Sequence, residues 1–410
     1  MTAAAADTPA SRADTATTPA DSRQHRTGDP ARAEAVVDLD AISANVSALR
    51  QHVDGRDLMA VVKADGYGHG IVESARAARS GGAGWLGVAL LSEAHQLRAA
   101  GDTGPILCWL AVPGERYADA VRMGVEVTAY SVDELRAIAD GARQAGGTAA
   151  VQLKLDSGLG RGGAQPHDWE ALVDEALQLR DHALVDVTGI WSHLACSDEP
   201  AHPSIAAQTT AFESAVSHAV DAGLEPRHLH LANSGGVLAI PATWFTMVRP
   251  GIAIYGVSPF ADASSPVPLR PAMTLRSHVA LVKRVGPGHG VSYGHTYVTA
   301  AATRLALIPL GYGDGVPRHA SNRAQVSLGG ARHTIAGRVC MDQFVLDVGE
   351  QPAAAGDEVV LFGPGDDGEP TVHDWADAAG TIGYEIVTRI GPRVPRRYTG
   401  DLTSAPGPTS

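Results

Sequence analysis

The chain has 410 residues, a formal net charge of −13 and a hydrophobic fraction of 44%. This length and hydrophobic content allow two domains, or one large barrel with an appendage. The acidic balance, without a run rich in Lys or Arg, argues against nucleic acid and anionic membranes as main partners and favours a small molecule.

The two ends of the chain are predicted to be disordered. Residues 1–33 contain almost no large apolar side chain, and residues 401–410 have a similar composition. The sequence shows no h-region of a signal peptide and no apolar run long enough to span a membrane. Cys108, Cys196 and Cys340 lack metal-ligand spacing and fit a reducing compartment. The sequence therefore predicts a cytoplasmic protein without a metal site.

From about residue 58, short apolar runs alternate with longer segments of helical period, which is typical of βα units. Eight strands are predicted, at 58–62, 85–90, 106–110, 125–128, 151–155, 187–191, 228–231 and 247–249. Helices are predicted between them, at 71–80, 92–100, 114–123, 131–145, 169–179 and 206–222, with a short one after Ser234. No dinucleotide-binding glycine fingerprint follows the first strand. The pattern therefore favours an α/β fold with a closed (β/α)8 TIM-type barrel, over residues 34–265, rather than an open doubly wound sheet.

A second, mostly β domain is predicted over residues 266–400. Pro, Ser and Ala across residues 258–272 indicate a linker. Beyond it, short β-type runs are separated by Gly-rich turns, with one helical segment near 371–379. These runs lie at 277–285, 304–309, 324–328, 333–339, 343–348 and 358–362.

Lys63 directly follows the first predicted strand, in the stretch Val61-Val62-Lys63-Ala64-Asp65-Gly66-Tyr67-Gly68-His69-Gly70. In a barrel of this kind, functional groups collect where strands end. A lysine in this place either extends its ammonium group to water or, when buried, becomes a reactive amine because burial lowers its pKa. This stretch by itself does not decide between the two alternatives.

Further polar residues follow later strands: Lys154, Asp156, Arg161, His193, Asn233, Ser234 and Arg249. The stretch 233–236, Asn-Ser-Gly-Gly, ends a strand and opens a helix, and 249–252, Arg-Pro-Gly-Ile, follows one strand later; both suit an anion. Taken singly, each is also typical of an ordinary N-cap or turn. A reactive lysine, a phosphate site and an arginine at one barrel end suggest pyridoxal phosphate, whose aldehyde condenses with a lysine amine.

The stretch around Lys63 resembles the cofactor-lysine motif of bacterial alanine racemases, and the resemblance covers essentially residues 34–400. Two departures, Asp65-Gly66 where many members have Asn-Ala and Gly162-Gly163 after Arg161, remove no reacting group. Further matching motifs occur in family order: Leu153-Lys-Leu-Asp-Ser-Gly-Leu-Gly-Arg161, Ala232-Asn-Ser-Gly, Val248-Arg-Pro-Gly-Ile-Ala-Ile-Tyr-Gly256, Val291-Ser-Tyr-Gly294, Leu310-Gly-Tyr-Gly-Asp314, Gly337-Arg-Val-Cys-Met-Asp342 and Gly383-Tyr-Glu385.

This resemblance implies an enzyme that interconverts L- and D-alanine and supplies D-alanine for peptidoglycan. Lys63 would form the internal aldimine and exchange a proton on one face of the substrate Cα, and Tyr293 would be the base on the opposite face, which racemisation requires. In family members this tyrosine reaches the cofactor lysine of the other subunit, which implies a homodimer with shared active sites. Tyr312, Met341 and Asp342 would line the substrate entrance from the partner chain. Without the resemblance, Tyr293 would be a tyrosine packed in a turn and Met341 a core residue.

The resemblance also implies the cofactor contacts. Arg249 would bond the pyridine nitrogen, which must then accept and stays unprotonated because guanidinium does not release its proton. Lys154 corresponds to a position that often carries a carbamylated lysine, or it forms an ordinary ion pair. His193 would lie near the ring, or be a satisfied barrel histidine, and Arg161 would lie near the cofactor phenolate and the substrate carboxylate. The phosphate would be held by Tyr67, Ser234, the N–H groups of Gly251 and Ile252, and Tyr384, with Asn233 beside it.

Two other functions would use the same barrel and the same cofactor. One is a pyridoxal phosphate enzyme with another substrate, either a broader amino-acid racemase or a decarboxylase. The other is a barrel that binds the cofactor without catalysis. Such binding proteins are similar around the lysine but lack the β domain and the tyrosine base, so residues 270–400 count against this alternative.

Overall fold

The computed structural model describes residues 32–404, without the side chains of residues 403 and 404. The expected disordered tails therefore lie mostly outside the described residues. Within them, strand β1 (Ala33–Asp38) already begins at Ala33, and Asp401–Ser404 forms a 3-10 turn. Helix α1 (Leu39–His52) follows β1 and is capped by Asp38, whose side chain accepts the N–H of Ala41 at 3.1 Å.

Eight parallel strands form a nearly closed barrel, which confirms the predicted fold class. They are β2 (Asp57–Val61), β3 (Trp85–Val88), β4 (Ile106–Cys108), β5 (Glu126–Ala129), β6 (Ala149–Lys154), β7 (Val185–Trp191), β8 (His228–His230) and β9 (Met247–Val248). Strands β2 to β8 pair in sequence order, and β9 pairs with β2. The N–H of Arg249 donates to the carbonyl of Ala232 at 2.9 Å, so the end of β9 also meets the chain after β8.

The elements between the barrel strands are α2 (Lys63–Tyr67), α3 (Ile71–Ser80), α4 (Leu91–Ala99), α5 (Tyr117–Arg122), α6 (Val132–Ala145), α7 (Trp169–Asp181), α8 (Ser204–Asp221) and α9 (Ser234–Ala239). Each longer helix buries one face. In α6, Leu135, Ile138, Ala139 and Ala142 are buried at the spacing of one helical stripe. The βα rhythm was therefore a reliable guide to the barrel. No helix within residues 32–404 is long and apolar enough to cross a membrane.

The β-rich region contains β10 (Met273–His278), β11 (Leu281–Val285), β12 (Gly290–Val291), β13 (Tyr297–Val298), β14 (Thr303–Ile308), β15 (Gln325–Leu328), β16 (Ala331–Thr334), β17 (Phe344–Gly349), β18 (Glu358–Phe362) and β19 (Arg396–Thr399), with helices α10 (Val372–Ala379) and α11 (Gly383–Thr388). The single strand predicted at 277–285 is wrong: β10 belongs to a six-stranded sheet and β11 to a three-stranded one. A continuous apolar pattern cannot show where a strand changes sheet.

Strand β1 lies in the six-stranded sheet of the β-rich region, between β10 and β19. Its alternate residues Ala33, Ala35 and Val37 are buried, as expected for a strand with one face on a core. Neither β1 nor α1 was predicted from the sequence. Residues 34–38 thus fall at the start of the expected barrel range, and residue 33 at the end of the expected tail, but all of them belong to the six-stranded sheet; the domain boundaries themselves remain a prediction.

Candidate active site

Lys63 lies at the C-terminal end of barrel strand β2 and begins the turn α2. The next four residues, Ala64 to Tyr67, have φ angles of 54°, 53°, 61° and 51°. This is the left-handed region, which costs roughly 1–2 kcal/mol for each residue other than glycine. Contacts from elsewhere must therefore hold the turn.

Three side chains hold this turn. His69 is fully buried, stacks on Tyr255 at 4.4 Å, and has its Nδ1 atom 3.0 Å from the carbonyl oxygens of Gly66 and Tyr67, so Nδ1 carries the donated proton. Asp65 accepts the N–H of Ile71 at 2.9 Å. Glu93, from α4, accepts the N–H of Ala64 at 2.7 Å.

The Lys63 side chain is half-buried. Its Nζ atom lies 5.9 Å from the ring centre of Trp109. Burial lowers the pKa of Lys63, the charge of Arg161 lowers it further, and Glu93 acts in the opposite direction. These surroundings favour the reactive amine over a lysine that extends into water.

Lys154 ends strand β6 and is 3% exposed. Its Nζ atom lies 4.6 Å from the ring centre of Trp191 and 5.0 Å from that of Tyr130. Burial first, and then the charges of Arg161 and Arg249, lower the pKa of Lys154 to about 8. The expected alternative of an ordinary ion pair is not observed: Lys154 pairs with no carboxylate among residues 32–404.

Arg249 follows β9, is 4% exposed, and packs over Trp191 with 4.7 Å between its guanidinium carbon and the ring centre. Its Nη2 atom donates to the carbonyl of Ser192, and its Nη1 atom donates to His230 Nδ1, both at 2.8 Å. His230 Nε2 lies 2.6 Å from Gln152 Oε1, so His230 is protonated at Nε2. Burial lowers the pKa of Arg249 to about 9, and the side chain stays charged at neutral pH.

Residues predicted to hold a phosphate lie together beside Tyr67. Ser234 Oγ accepts the N–H of Gly251 at 2.9 Å and that of Ala253 at 3.3 Å. A Cβ atom on Gly251 would lie 2.3 Å from the Tyr67 hydroxyl oxygen, so only glycine allows this close approach. Tyr384 lies 6.2 Å from Tyr67 between ring centres, and Ile252 begins the 3-10 turn that follows Gly251.

Asn233 is the N-cap of α9, and its Oδ1 atom accepts the N–H of Gly236 at 3.2 Å. This is the ordinary N-cap role that the sequence analysis left open. A direct contact of Asn233 with a cofactor remains a prediction.

The barrel end carries positive charge without an ion pair. Burial, followed by the charges of Arg249, Arg161, Lys154 and Lys63, holds the pKa of half-buried His193 well below its usual range, and His193 Nδ1 lies 3.4 Å from Arg249 Nη2. None of these four basic side chains forms a salt bridge in the described part of the chain. Such a cluster fits a ligand with several negative charges, as pyridoxal phosphate is. The residues present therefore fit the cofactor that the sequence suggests.

A second cluster lies in the β-rich region. Tyr293, in the 3-10 turn Tyr293–His295, lines one cavity with Met341 and Asp342 and is 71% exposed. Tyr312 joins this cluster because its N–H donates to the carbonyl of Cys340 at 3.0 Å. No hydrogen bond or ion pair within residues 32–404 links Tyr293 to Lys63. The structure thus brings the predicted site residues together as two groups.

Asp314, with a fully buried side chain, supports the second cluster. It accepts hydrogen bonds from Arg32 at 2.6 Å and 3.0 Å and from the N–H of Gly311 at 3.0 Å, and its carboxylate lies 3.0 Å from Arg393. Arg393 also donates to Asp342 at 2.7 Å. Although Asp314 stood in a quoted motif, its role and its arginine partners were missed, because they come from distant parts of the chain.

Trp191, His230 and Glu93 were not predicted from the sequence as parts of the site. Trp191 and His230 were placed on predicted strands, but the strand pattern did not show that their side chains face the interior of the barrel. Glu93 carried one signal, since an acid at the third helical position often caps a helix. Nothing in the sequence indicated that it also contacts the turn after Lys63.

Comparisons with known proteins agree over both parts of the chain. A family model described as alanine racemase, N-terminal domain, matches residues 37–259, and one described as alanine racemase, C-terminal domain, matches residues 272–398. The alanine racemase of Frankia casuarinae is 54% identical over 92% of this chain and 99% of its own. That of Thermobifida fusca is 55% identical over 90% of this chain and 98% of its own. The crystal structure of alanine racemase from D-cycloserine producing Streptomyces lavendulae is similar with a TM-score of 0.90, at 52% identity, over 92% of this chain and 99% of that one.

Proposed function

The chain belongs to the alanine racemase family, and on this basis we propose that it interconverts L- and D-alanine with pyridoxal 5′-phosphate, using Lys63 and Tyr293 as two bases. The observation that carries this proposal is the presence of Lys63 and Arg249 at one barrel end. Both groups have lowered pKa values and neither forms a salt bridge within the described residues, so they suit an anionic cofactor next to a reactive amine.

The residues that would hold the cofactor follow from their positions. Tyr67, Ser234, Gly251, Ile252 and Tyr384 would bind the phosphate, where the Gly251 backbone and the Tyr67 hydroxyl already lie close together. When bound, the cofactor withdraws electrons from the substrate Cα and makes its proton easier to remove.

Arg249 would donate to the ring nitrogen. Two of its N–H groups are already engaged, by Ser192 and by His230, so its orientation is fixed before the cofactor binds. Since guanidinium does not give up its proton, the ring nitrogen would only accept. This limits electron withdrawal and disfavours side reactions such as transamination.

The two bases would act on opposite faces of the substrate. Lys63 would give up its ammonium proton more readily than an exposed lysine, because burial and the charge of Arg161 lower the pKa of its amine. A single base would return the proton to the face it left and regenerate the same enantiomer. Tyr293 would be the second base, on the other face.

We propose a homodimer in which Tyr293 of one subunit faces Lys63 of the partner subunit. The support is the exposure of Tyr293 at 71%, Met341 at 53% and Tyr312 at 41%, which is high for large apolar side chains of one cluster. In such a dimer, Tyr312, Met341 and Asp342 would line the substrate entrance.

The remaining site residues would orient the substrate and the cofactor ring. Arg161 would meet the substrate carboxylate, and His193 would lie near the ring. Lys154 would carry a carbamate: the neutral amine is the form that reacts with carbon dioxide, and the pKa of about 8 favours it. The carbamate would also give Arg161 a negative partner.

We place this activity in the cytoplasm, where the three free thiols Cys108, Cys196 and Cys340 would stay reduced, and we propose that its product serves peptidoglycan. The direct test is to purify the protein, measure bound pyridoxal phosphate, and assay the formation of D-alanine from L-alanine beside L-serine and L-lysine. We expect turnover of alanine above the other two, and none with Lys63→Ala. Bound cofactor without turnover of any amino acid would favour the non-catalytic alternative, and a preference for serine or lysine would favour a broader racemase.

A further inference from the structure

The carboxylate of Glu93 joins two neighbouring loops at the barrel end. Its Oε1 atom accepts the N–H of Ala64 at 2.7 Å, and its Oε2 atom accepts those of Ala89 at 2.9 Å and Leu90 at 3.1 Å. Hydrogen bonds to a charged acceptor are roughly twice as strong as neutral ones. One side chain therefore holds the turn α2 against the start of helix α4.

The contact between Glu93 and Ala64 lies directly after Lys63, where the chain turns away from strand β2. Ala64 directly follows Lys63 and is the first of four consecutive residues in the left-handed region, with φ 54° and ψ 52°. The other two side chains bond elsewhere: Asp65 accepts the N–H of Ile71 at the start of α3, and His69 donates to the carbonyl of Gly66. Glu93 is thus the side chain that holds the step at which Lys63 leaves the strand direction.

The charge of Glu93 also acts on the Lys63 amine. Burial and the charge of Arg161 both favour the neutral amine, whereas the Glu93 carboxylate favours the ammonium form. Glu93 is itself half-buried, so water screens this interaction less than it would between two surface groups.

We propose that Glu93 is a positioning residue for Lys63: it holds the left-handed turn that directs the Lys63 side chain, and it supplies the negative charge that opposes Arg161. The inference rests on the proposed function only in giving Lys63 a role in catalysis. The contact between Glu93 and the turn does not depend on that role.

Two substitutions separate the hydrogen bonds from the charge. Glu93→Gln removes the charge and replaces one oxygen with an NH2 group that cannot accept, so one of the two loops loses its acceptor. Glu93→Asp keeps the charge, but the side chain is one methylene shorter and cannot reach both loops. Asp374→Asn is the matched control, because Asp374 caps helix α10 in the β-rich region by accepting the N–H of Thr371 at 2.8 Å.

The chain offers a direct measurement of Lys63. Its only lysines are Lys63, Lys154 and Lys283, and arginines separate them into different tryptic peptides. Trace acetylation of the full-length, cofactor-free protein across a pH series, read by mass spectrometry, reports the titration midpoint of each amine, with Lys283 as an internal reference. This measurement involves no racemisation, so a failure of the proposed function would not affect it.

We expect Glu93→Gln to move the titration midpoint of Lys63 to lower pH and to leave that of Lys283 unchanged. The same variant should reduce kcat by about tenfold or more with a smaller change in KM, since a displaced reacting group mainly slows the chemical step. Glu93→Asp should keep the midpoint close to that of the unmodified protein but still reduce kcat. Asp374→Asn should change neither.

A Lys63 midpoint that stays in place in Glu93→Gln would overturn the proposal, even if activity falls, because the residue would then be merely structural. If Glu93→Gln does not fold, Glu93→Asp decides instead. An unchanged kcat in that variant would show that the contact with Ala64 does not position Lys63.

Discussion

At the scale of single residues, the barrel end combines burial with positive charge. Lys154 and Arg249 are almost fully buried, both lie over the ring of Trp191, and both have lowered pKa values. Uncompensated charges of this kind destabilise a fold, so their presence indicates a functional site more strongly than the residue types do alone.

His69 makes a testable contribution at this scale. Burial lowers the pKa of His69 from 6.5 to about 4, so between these values the unfolded chain binds a proton that the folded protein does not. The contribution of neutral His69 to the free energy of unfolding is therefore fully present above pH 6.5 and is lost as the pH falls towards 4. This contribution amounts to roughly 3 kcal/mol. His193 and His230 act in the same direction.

We expect His69→Asn to reduce the loss of stability between pH 7.5 and pH 5, as measured by urea unfolding. Its Nδ2 group can still donate to the carbonyls of Gly66 and Tyr67, but it does not titrate. The control is His167→Gln, since the His167 side chain is 78% exposed. If His69→Asn loses as much stability on acidification as the unmodified protein, the assigned role of His69 is wrong.

At the scale of elements, the site depends on turns rather than on the strands themselves. The turn α2 and the 3-10 turn Ile252–Tyr255 meet where Gly251 approaches Tyr67. The strands place these turns at one end of the barrel, and contacts such as those of Glu93 and His69 then hold conformations that the turns would not adopt alone.

Gly251→Ala tests this meeting of turns. The new methyl group would lie 2.3 Å from the Tyr67 hydroxyl oxygen, so Tyr67 must move. Overpacking of this kind costs about 1–3 kcal/mol, and we expect the affinity for pyridoxal phosphate to fall roughly tenfold as the phosphate site is displaced.

The measurements are cofactor titration and thermal unfolding. Gly286→Ala is the control, because its Cβ atom would meet no heavy atom within 4 Å. Adding Tyr67→Phe to Gly251→Ala should restore part of the thermal stability, since it removes the clashing oxygen. Unchanged affinity and stability in Gly251→Ala would contradict the close approach.

At the scale of the whole molecule, the two site clusters lie in different parts of one chain. Strand β1 pairs with β10 and β19 in the six-stranded sheet, whereas the residues of the second cluster adjoin β12, β14 and β17 of the two smaller sheets. Arg32, just before β1, binds Asp314, which lies two residues after Tyr312 in the same turn. The segment that precedes the barrel therefore also supports the Tyr293 side.

The proposed shared site predicts complementation between two inactive proteins. After subunit exchange between Lys63→Ala and Tyr293→Phe, about half of the dimers would be hybrids with one intact site out of two, which gives about a quarter of the unmodified activity. The measurement is racemase activity before and after mixing, with exchange shown independently by differently tagged subunits.

The matched control replaces Tyr293→Phe with the double variant Lys63→Ala/Tyr293→Phe, which cannot form an intact site with Lys63→Ala. Complete exchange without recovered activity in the test mixture would mean that Tyr293 does not act across a subunit interface.

The sequence by itself determined the features that depend on neighbours along the chain. Hydrophobic periodicity located the eight barrel strands, and the position of Lys63 after an apolar run identified the end of the barrel that carries chemistry. The motifs near Ser234 and Arg249 indicated an anion site for the same reason, because N-caps and turns are local structures.

Only the tertiary structure decided which distant residues complete the site. Glu93 reaches Ala64 from another βα unit, Trp191 lies against both Lys154 and Arg249, and β1 joins a sheet whose other strands begin at β10. These contacts depend on how helices and strands pack, and the side-chain pattern of one element does not specify its partner. The left-handed turn after Lys63 depends on them, since its backbone conformation is costly without support from residues far away in the chain.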